Sequence, residues 1–479
     1  MQQIFLRGLG ITLLLNLLVK PATIFGVDVV MQNQIGLKPY GDFSAFLNLT
    51  FLFSMLLDMG ITNYMTRLIA QHPYMIRKYS HQLFTMRMVL AGVYVLWTVT
   101  LYFIIGFPIN YWWMLVLLII HQISINTVNY VRAYTGGLMK FELDAVLSVV
   151  ERLVYLLFGL LLLYTTLVRP ISLGWFVGIF VASSFISFLF AGFVYVSLVE
   201  FPRWKWNTTF FTAIFKQSFP YALLVILMML NSRLDTVFIK LMHPDGATQV
   251  SYYVQGFRLL DACWMFGILF GGILLPIFSR LLREKESVSG IMTNAFNLLI
   301  SAGLLMVVLS IGTREMLFNE LYKEDANQMT YDSWIFLSIS FLPMCFTLVF
   351  GTLLTANGSL RQLNLMAIIA LSINVILNII LIPVLGAKGA AITTLTAQTV
   401  FGVLQWILVR YRMNESLQKT AWVKLASLGV VLGAMLFLKY AFEWNLIFWI
   451  ATLFFVWFVW TFSLRIIDLR AVLSLLKKS

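Results

Sequence analysis

Residues 217–240 read QSFPYALLVILMMLNSRLDTVFIK. The apolar positions do not alternate, so the segment is a helix; a barrel strand would alternate apolar and polar residues over about ten positions. Its length matches the roughly 20 apolar residues that carry a helix across the hydrocarbon core of a bilayer. Yet Arg233 and Asp235 sit inside it. An ionisable group at that depth costs on the order of 2.5 to more than 10 kcal/mol. A chain that keeps two of them in one span either uses them or pairs them.

Working outward, the same signature recurs along all 479 residues. Fourteen apolar segments are predicted to be spans, at 8–31, 41–64, 83–106, 111–133, 143–166, 171–198, 217–240, 251–278, 291–312, 333–356, 364–385, 388–409, 422–440 and 446–467. Hydrophobic residues make up 61% of the chain and charged residues 11%, against about 45–50% and 25% in soluble domains. That excludes a soluble enzyme, a nucleic-acid-binding protein, a secreted disulfide scaffold and a disordered tail. The fold class expected is an all-α polytopic membrane protein. Cys263 and Cys345 both lie in apolar segments and form no disulfide framework. The first stretch carries Arg7, Lys20 and Pro21 but no small-residue cleavage signature, so it reads as an uncleaved span.

The net charge of +13 is accounted for by topology. With the N-terminus cytoplasmic and every segment crossing, 22 of the 33 Lys and Arg fall on the cytoplasmic side, Arg87 and Arg132 among them, and 7 on the outer side. Cytoplasmic loops favour Lys and Arg, so both termini are expected in the cytoplasm. Lys20, Arg152, Arg233 and Arg258 remain inside spans. The longest connection, Gly312–Asp332, is expected to be an acidic outer loop. Aromatics at Tyr111-Trp112-Trp113, Trp204, Trp206, Trp422 and Trp444 mark membrane interfaces.

Two halves of the chain echo each other. Tyr40 precedes Arg67 by 27 residues, and Tyr253 precedes Arg280 by 27. Gly137-Leu138-Met139-Lys140 has a counterpart in Gly358-Ser359-Leu360-Arg361. Six spans separate the copies, so the repeat is parallel. Transporters are often built this way, with a midplane site between two halves that rock.

The intramembrane charges cluster in repeat-related spans: Lys20 and Asp28 in the first, Asp58 in the second, Arg233 and Asp235 in the seventh, Arg258 and Asp261 in the eighth. Glu151 and Arg152 lie in the fifth. Read functionally, Lys20, Arg152, Arg233 and Arg258 would meet an anionic substrate in a hydrated cavity, since guanidinium donors suit phosphate oxygens. Asp28, Asp58, Glu151, Asp235 and Asp261 would balance those cations or carry a coupling ion. Internal pairing alone is the competing account: Arg258 and Asp261 are three residues apart on one helical turn. Pro21 and Pro220 precede the charged parts of spans one and seven and suit bending gates; a static kink is the competing account.

His72, His81, His121 and His243 have no metal-ligand spacing, and His121 reads as a packing residue. There is no P-loop, dinucleotide fingerprint or nucleophile elbow. No metal, cofactor or nucleic-acid partner is expected.

The run Pro39-Tyr40-Gly41-Asp42-Phe43, then Leu57-Asp58-Met59-Gly60-Ile61 and Thr66-Arg67, resembles the opening of Wzx-type oligosaccharide flippases. So do Ala356-Asn357-Gly358, Asn378, Leu381-Ile382-Pro383, Gly386 and Gly389-Ala390-Ala391. These flippases belong to the multidrug/oligosaccharidyl-lipid/polysaccharide (MOP) exporter superfamily, and the resemblance covers nearly the whole chain. It implies two pseudo-symmetric six-helix lobes facing each other in a V, here 1–205 and 206–415, with two additional spans and a tail in 416–479. It implies transfer of undecaprenyl-diphosphate-linked oligosaccharide from the inner to the outer leaflet of the bacterial cytoplasmic membrane, for O-antigen, capsule or exopolysaccharide synthesis. Membrane lipids, a polysaccharide polymerase and chain-length machinery are the implied partners. The lipid II flippases of the same superfamily carry a more cation-rich first lobe. A drug/cation antiporter of the same fold would want an acid-lined site and commonly has twelve spans. A membrane polymerase or ligase would need a sizeable outer loop with acid, base or histidine chemistry, which this chain lacks.

Overall fold

The computed structural model describes residues 18–19, 21–62, 69, 75–138, 140–165, 170–199, 201, 203–464 and 466. Among these residues every regular element is a helix. A π-helical turn, Ile24–Asp28, leads into α1 (Val29–Ile35) and α2 (Leu37–Leu52). Then follow α3 (Met75–Ile105), α4 (Trp112–Gly137), α5 (Phe141–Tyr164), α6 (Leu173–Leu198), α7 (Thr208–Met242) and α8 (Gly246–Glu284). The remainder is α9 (Ser289–Tyr322), α10 (Gln328–Phe346), a second π-helical turn (Thr347–Gly351), α11 (Thr352–Ala356), α12 (Leu360–Arg412), α13 (Lys419–Ala441) and α14 (Leu446–Ser463).

Eleven helices among the described residues are long and apolar enough to cross a membrane. One is α12, whose 53 residues break at Gly386 (φ 54°, ψ −129°), at the junction between predicted spans eleven and twelve. Helix α8, which carries Arg258 and Asp261, is 39 residues long but is not among the eleven. In lipid the backbone must satisfy its own hydrogen bonds, and the ends show how. Asn327 accepts from Thr330 N at 3.2 Å to start α10, and Asn445 accepts from Ile447 N at 3.0 Å to start α14. Gly36 (φ 91°) allows the break between α1 and α2. Buried hydroxyls donate back to carbonyls one turn earlier, as Ser183 does to Phe180 O at 2.8 Å.

Two expectations about boundaries need correction. The acidic connection 312–332 is largely helical rather than a loop: α9 runs on to Tyr322 and α10 starts at Gln328. Span two is not one helix over 41–64. Its α-helix stops at Leu52, and a 3₁₀ turn, Ser54–Leu57, delivers the chain to Asp58.

The chain divides into two compact units. The first holds Met1–Leu241 and Asp245–Ser251, and the second Met242–Pro244 and Tyr252–Ser479. In the first, α4 packs on α6, with α5 against both and α2 against α4. Phe43, Phe176 and Phe180 meet edge to face or tilted in its core. In the second, α10 packs on α12 and α9, and α13 and α14 lie against α9 and each other. Trp449 anchors α14 by donating to Met435 O at 2.9 Å.

Candidate functional site

The site begins with a break in the helix. After the Ser54–Leu57 turn, Met59 (φ 44°) and Gly60 (φ 79°) take positive φ, and Asp58 is left at the turn. Its Oδ1 accepts from Thr62 N at 3.1 Å and also from the Thr62 hydroxyl, which caps the next helical start. From α3, Arg87 reaches the same oxygen at 3.5 Å. Its guanidinium also donates to Asn126 O at 3.0 Å and to the Asn126 side chain on α4, and lies 4.3 Å from the centre of the Tyr130 ring. Arg87 is 6% exposed and Asp58 8%. Behind them Tyr130, Tyr134 and Tyr195 form an aromatic cluster, with the Tyr130 and Tyr134 hydroxyls 2.6 Å apart. A cation this deep is tolerable because a carboxylate, two acceptors and a ring face take the place of water.

Asp58 forms part of the wall of a cavity of about 530 Å³ that lies wholly within the first unit. Thr62, Gln122, Asn126 and Asn129 contribute polar wall, and Phe51, Met55, Ile125, Val225 and Met229 contribute apolar wall. A second ion pair faces it. Arg132 Nε donates to Asp144 Oδ1 at 2.9 Å and Arg132 Nη2 to Oδ2 at 3.3 Å, a two-pronged contact. Helices α4 and α5 place this pair through the short turn that joins them. Each charged residue of the wall is thus paired, Arg132 and Asp144 with each other and Asp58 with Arg87 behind the wall.

The other residues expected to form the site lie around it or elsewhere. Arg233, one turn beyond Met229 on α7, stacks 5.4 Å from the centre of the Phe51 ring. Asp235 is fully buried on the same helix. Asp28 closes the first π-helical turn and accepts from the Tyr155 hydroxyl at 2.6 Å. Glu151 and Arg152 are half-buried one turn before Tyr155 on α5. Arg258 is half-buried in the second unit and donates to the Tyr322 hydroxyl at 3.4 Å, with Asp261 half-buried one turn further along. Pro21 is half-buried in a helical turn just before the first π-helical turn. Lys20 and the side chain of Pro220 lie outside the described residues. His121 is buried with its ring 4.2 Å from that of Phe180.

Charge counting missed three members of the site. Arg87 and Arg132 were placed with the cytoplasmic-side cations, and Asp144 was passed over. Arg87 instead lies well inside α3, buried against Asp58. The available signal was positional: Arg87 falls inside predicted span three, and Arg132 and Asp144 flank one tight turn.

A separate polar cluster ties the start of α8 to α2, within the same unit. Lys240 pairs with Asp42, which also accepts from the Tyr111 hydroxyl at 2.5 Å. Ser251 donates to Leu37 O at 2.6 Å, and Gly41 packs directly on the Ala247 backbone with no room for a Cβ.

This architecture is that of MOP-superfamily transporters. The chain resembles an inward-facing multidrug resistance MATE family transporter of the MOP superfamily at TM-score 0.63 and 13% identity, over 82% of this chain and 94% of that one. It resembles the lipid II flippase MurJ in an inward closed conformation at TM-score 0.56 and 13% identity, over 98% and 94%. The Vibrio cholerae MATE transporter VcmN in the bent form matches at TM-score 0.55 and 15% identity, over 85% and 95%. No curated protein sequence matches the chain. Residues 5–282 match the family described as polysaccharide biosynthesis protein, and the chain belongs to that family. It is a multi-pass membrane protein of a transporter and flippase fold.

Proposed function

We propose that this protein is a flippase that moves an undecaprenyl-diphosphate-linked oligosaccharide from the inner to the outer leaflet of the bacterial cytoplasmic membrane, supplying surface polysaccharide synthesis. The observation that carries the reading is a cavity among the apolar helices of a polysaccharide biosynthesis family member whose wall includes amides and paired charges. Bare hydrocarbon would charge a glycan several kcal/mol for each unpaired polar group. A cavity lined with amides and carboxylates removes most of that cost, while the polyprenyl tail stays in lipid. Alternating access would come from two lobes that rock, with Lys20, Arg152, Arg233 and Arg258 available to the diphosphate and the neighbouring carboxylates balancing them between cycles. The cation bias supports a cytoplasmic position for both termini.

The test is made in the native host. Deleting the gene should trap lipid-linked oligosaccharide on the inner leaflet, unreactive to a membrane-impermeant glycan reagent, and abolish surface polysaccharide. Wild type should restore both and Arg233→Ala should not. A normal leaflet distribution together with new sensitivity to cationic drugs would replace this reading with a drug antiporter.

A further inference from the structure

The polar groups of the first-unit cavity divide into two kinds. The charged ones are already engaged: Arg87 with Asp58, Arg132 with both oxygens of Asp144. Several neutral ones are not. Gln122 is 4% exposed, forms part of the cavity wall, and makes no hydrogen bond among the described residues. Asn129, on the same helix seven residues later, makes none either. Every bond to Asp58 among the described residues falls on Oδ1, and Asp58 forms part of the cavity wall. Two carboxamides and a carboxylate on this wall offer both donors and acceptors, and Phe51 and Met55 add apolar surface.

We infer that this cavity is the subsite for the sugar of the substrate, and that the diphosphate binds elsewhere; the inference rests on the flippase reading above. A diphosphate that took Arg87 would leave Asp58 buried without a cation, which is strongly unfavourable, and one that took Arg132 would have to break a two-pronged contact. A pyranose meets no such obstacle. Its hydroxyls donate to Asp58 Oδ2 and to the amide oxygens, accept from the amide NH₂ groups, and disturb neither ion pair. Its C–H face has Phe51 and Met55 to pack on. Pockets of about 300–1,000 Å³ hold small-molecule ligands, so about 530 Å³ suits one or two sugar rings.

The experiment uses the full-length protein in nanodiscs and two probes: lipid-linked oligosaccharide extracted from host membranes, and undecaprenyl diphosphate without sugar. Gln122→Ala combined with Asn129→Ala should weaken the sugar-bearing lipid at least tenfold and leave undecaprenyl diphosphate within twofold. Asn129 is exposed on α4, so Asn129→Ala alone serves as a folded control variant and should show a smaller loss of the same selectivity. Equal losses for both lipids, or no loss for either, would overturn the subsite assignment and leave the flippase reading standing. A wild-type protein that binds neither lipid would overturn the flippase reading itself, and this inference with it.

Discussion

The Asp58–Arg87 pair gives the sharpest test of how the first unit is held together. Removing one partner of a buried ion pair costs about 3–5 kcal/mol, because the other is left charged and unsolvated. Asp58→Asn keeps the shape and the contact with Thr62 but strands the guanidinium, which stays against Asn126 and the Tyr130 ring. Arg87→Met strands the carboxylate and also gives up a desolvated cation–π contact of about 2 kcal/mol. The double variant strands neither charge. It should therefore be less destabilised than the sum of the singles by about 2–3 kcal/mol, at the upper end of coupling energies for groups in contact. The assay is reversible unfolding in mixed detergent micelles followed by tryptophan fluorescence. Arg280→Met is the reference, because its i,i+4 pair with Glu284 is exposed and such pairs contribute only about 0.3–0.5 kcal/mol. Singles that cost less than about 1 kcal/mol, or a double that is additive within about 0.5 kcal/mol, would refute the claim that this pair is buried and mutually dependent.

Three further outcomes follow from particular contacts. Lys240→Met leaves Asp42 buried with the Tyr111 hydroxyl still donating to it but no cation beside it; it should cost about 3 kcal/mol in the same unfolding assay, and adding Asp42→Asn should recover part of the loss. Gly312→Ala drives a methyl group into the Trp449 indole; over-packing of about 1–3 kcal/mol is expected, with Trp449→Phe relieving the clash while losing the bond to Met435 O, as read by thermal midpoint in detergent. Gly386→Ala places a side chain at φ 54°, ψ −129°, a region essentially reserved for glycine; it should cost about 1–3 kcal/mol and lower the yield of folded protein, whereas Gly433→Ala, which meets open space within a helix, should not.

Hydrophobicity made the helices legible because membrane spans declare themselves by length and composition: predicted spans eleven and twelve, for example, fall on the two limbs of the broken α12. What it hid were departures from a straight rod. Asp58 reads as mid-span, yet Met59 and Gly60 turn the chain there, and apolar residues on both sides mask the turn. The acidic residues after Gly312 suggest a loop, but α9 continues through them because a helix end that leaves the bilayer can carry charge on its wet surface. The site was legible by kind and not by pairing. Arg233 and Asp58 stand out as charges in apolar sequence. Arg87, 29 residues from Asp58, is joined to it only by tertiary folding, and a charge count by side treats any Arg near a span end as solvated.

Pairing also bears on how a carrier of this kind can turn over. A site of open cations would hold a diphosphate tightly, but each release would leave those cations uncompensated in a low-dielectric interior, at about 3–5 kcal/mol apiece. The empty carrier would then be the least stable state of the cycle, and the return step the slowest. Here the two cations at the cavity are matched by Asp58 and Asp144 when no ligand is present. Hydroxyls can bind and leave without changing that balance, so under the proposed assignment the cavity's empty and loaded states differ by hydrogen bonds of about 0.5–1.5 kcal/mol each to the amides and about 1.5–3 kcal/mol to the carboxylate. A wall built in this way favours exchange over retention, as the proposed movement of a sugar between two leaflets would require.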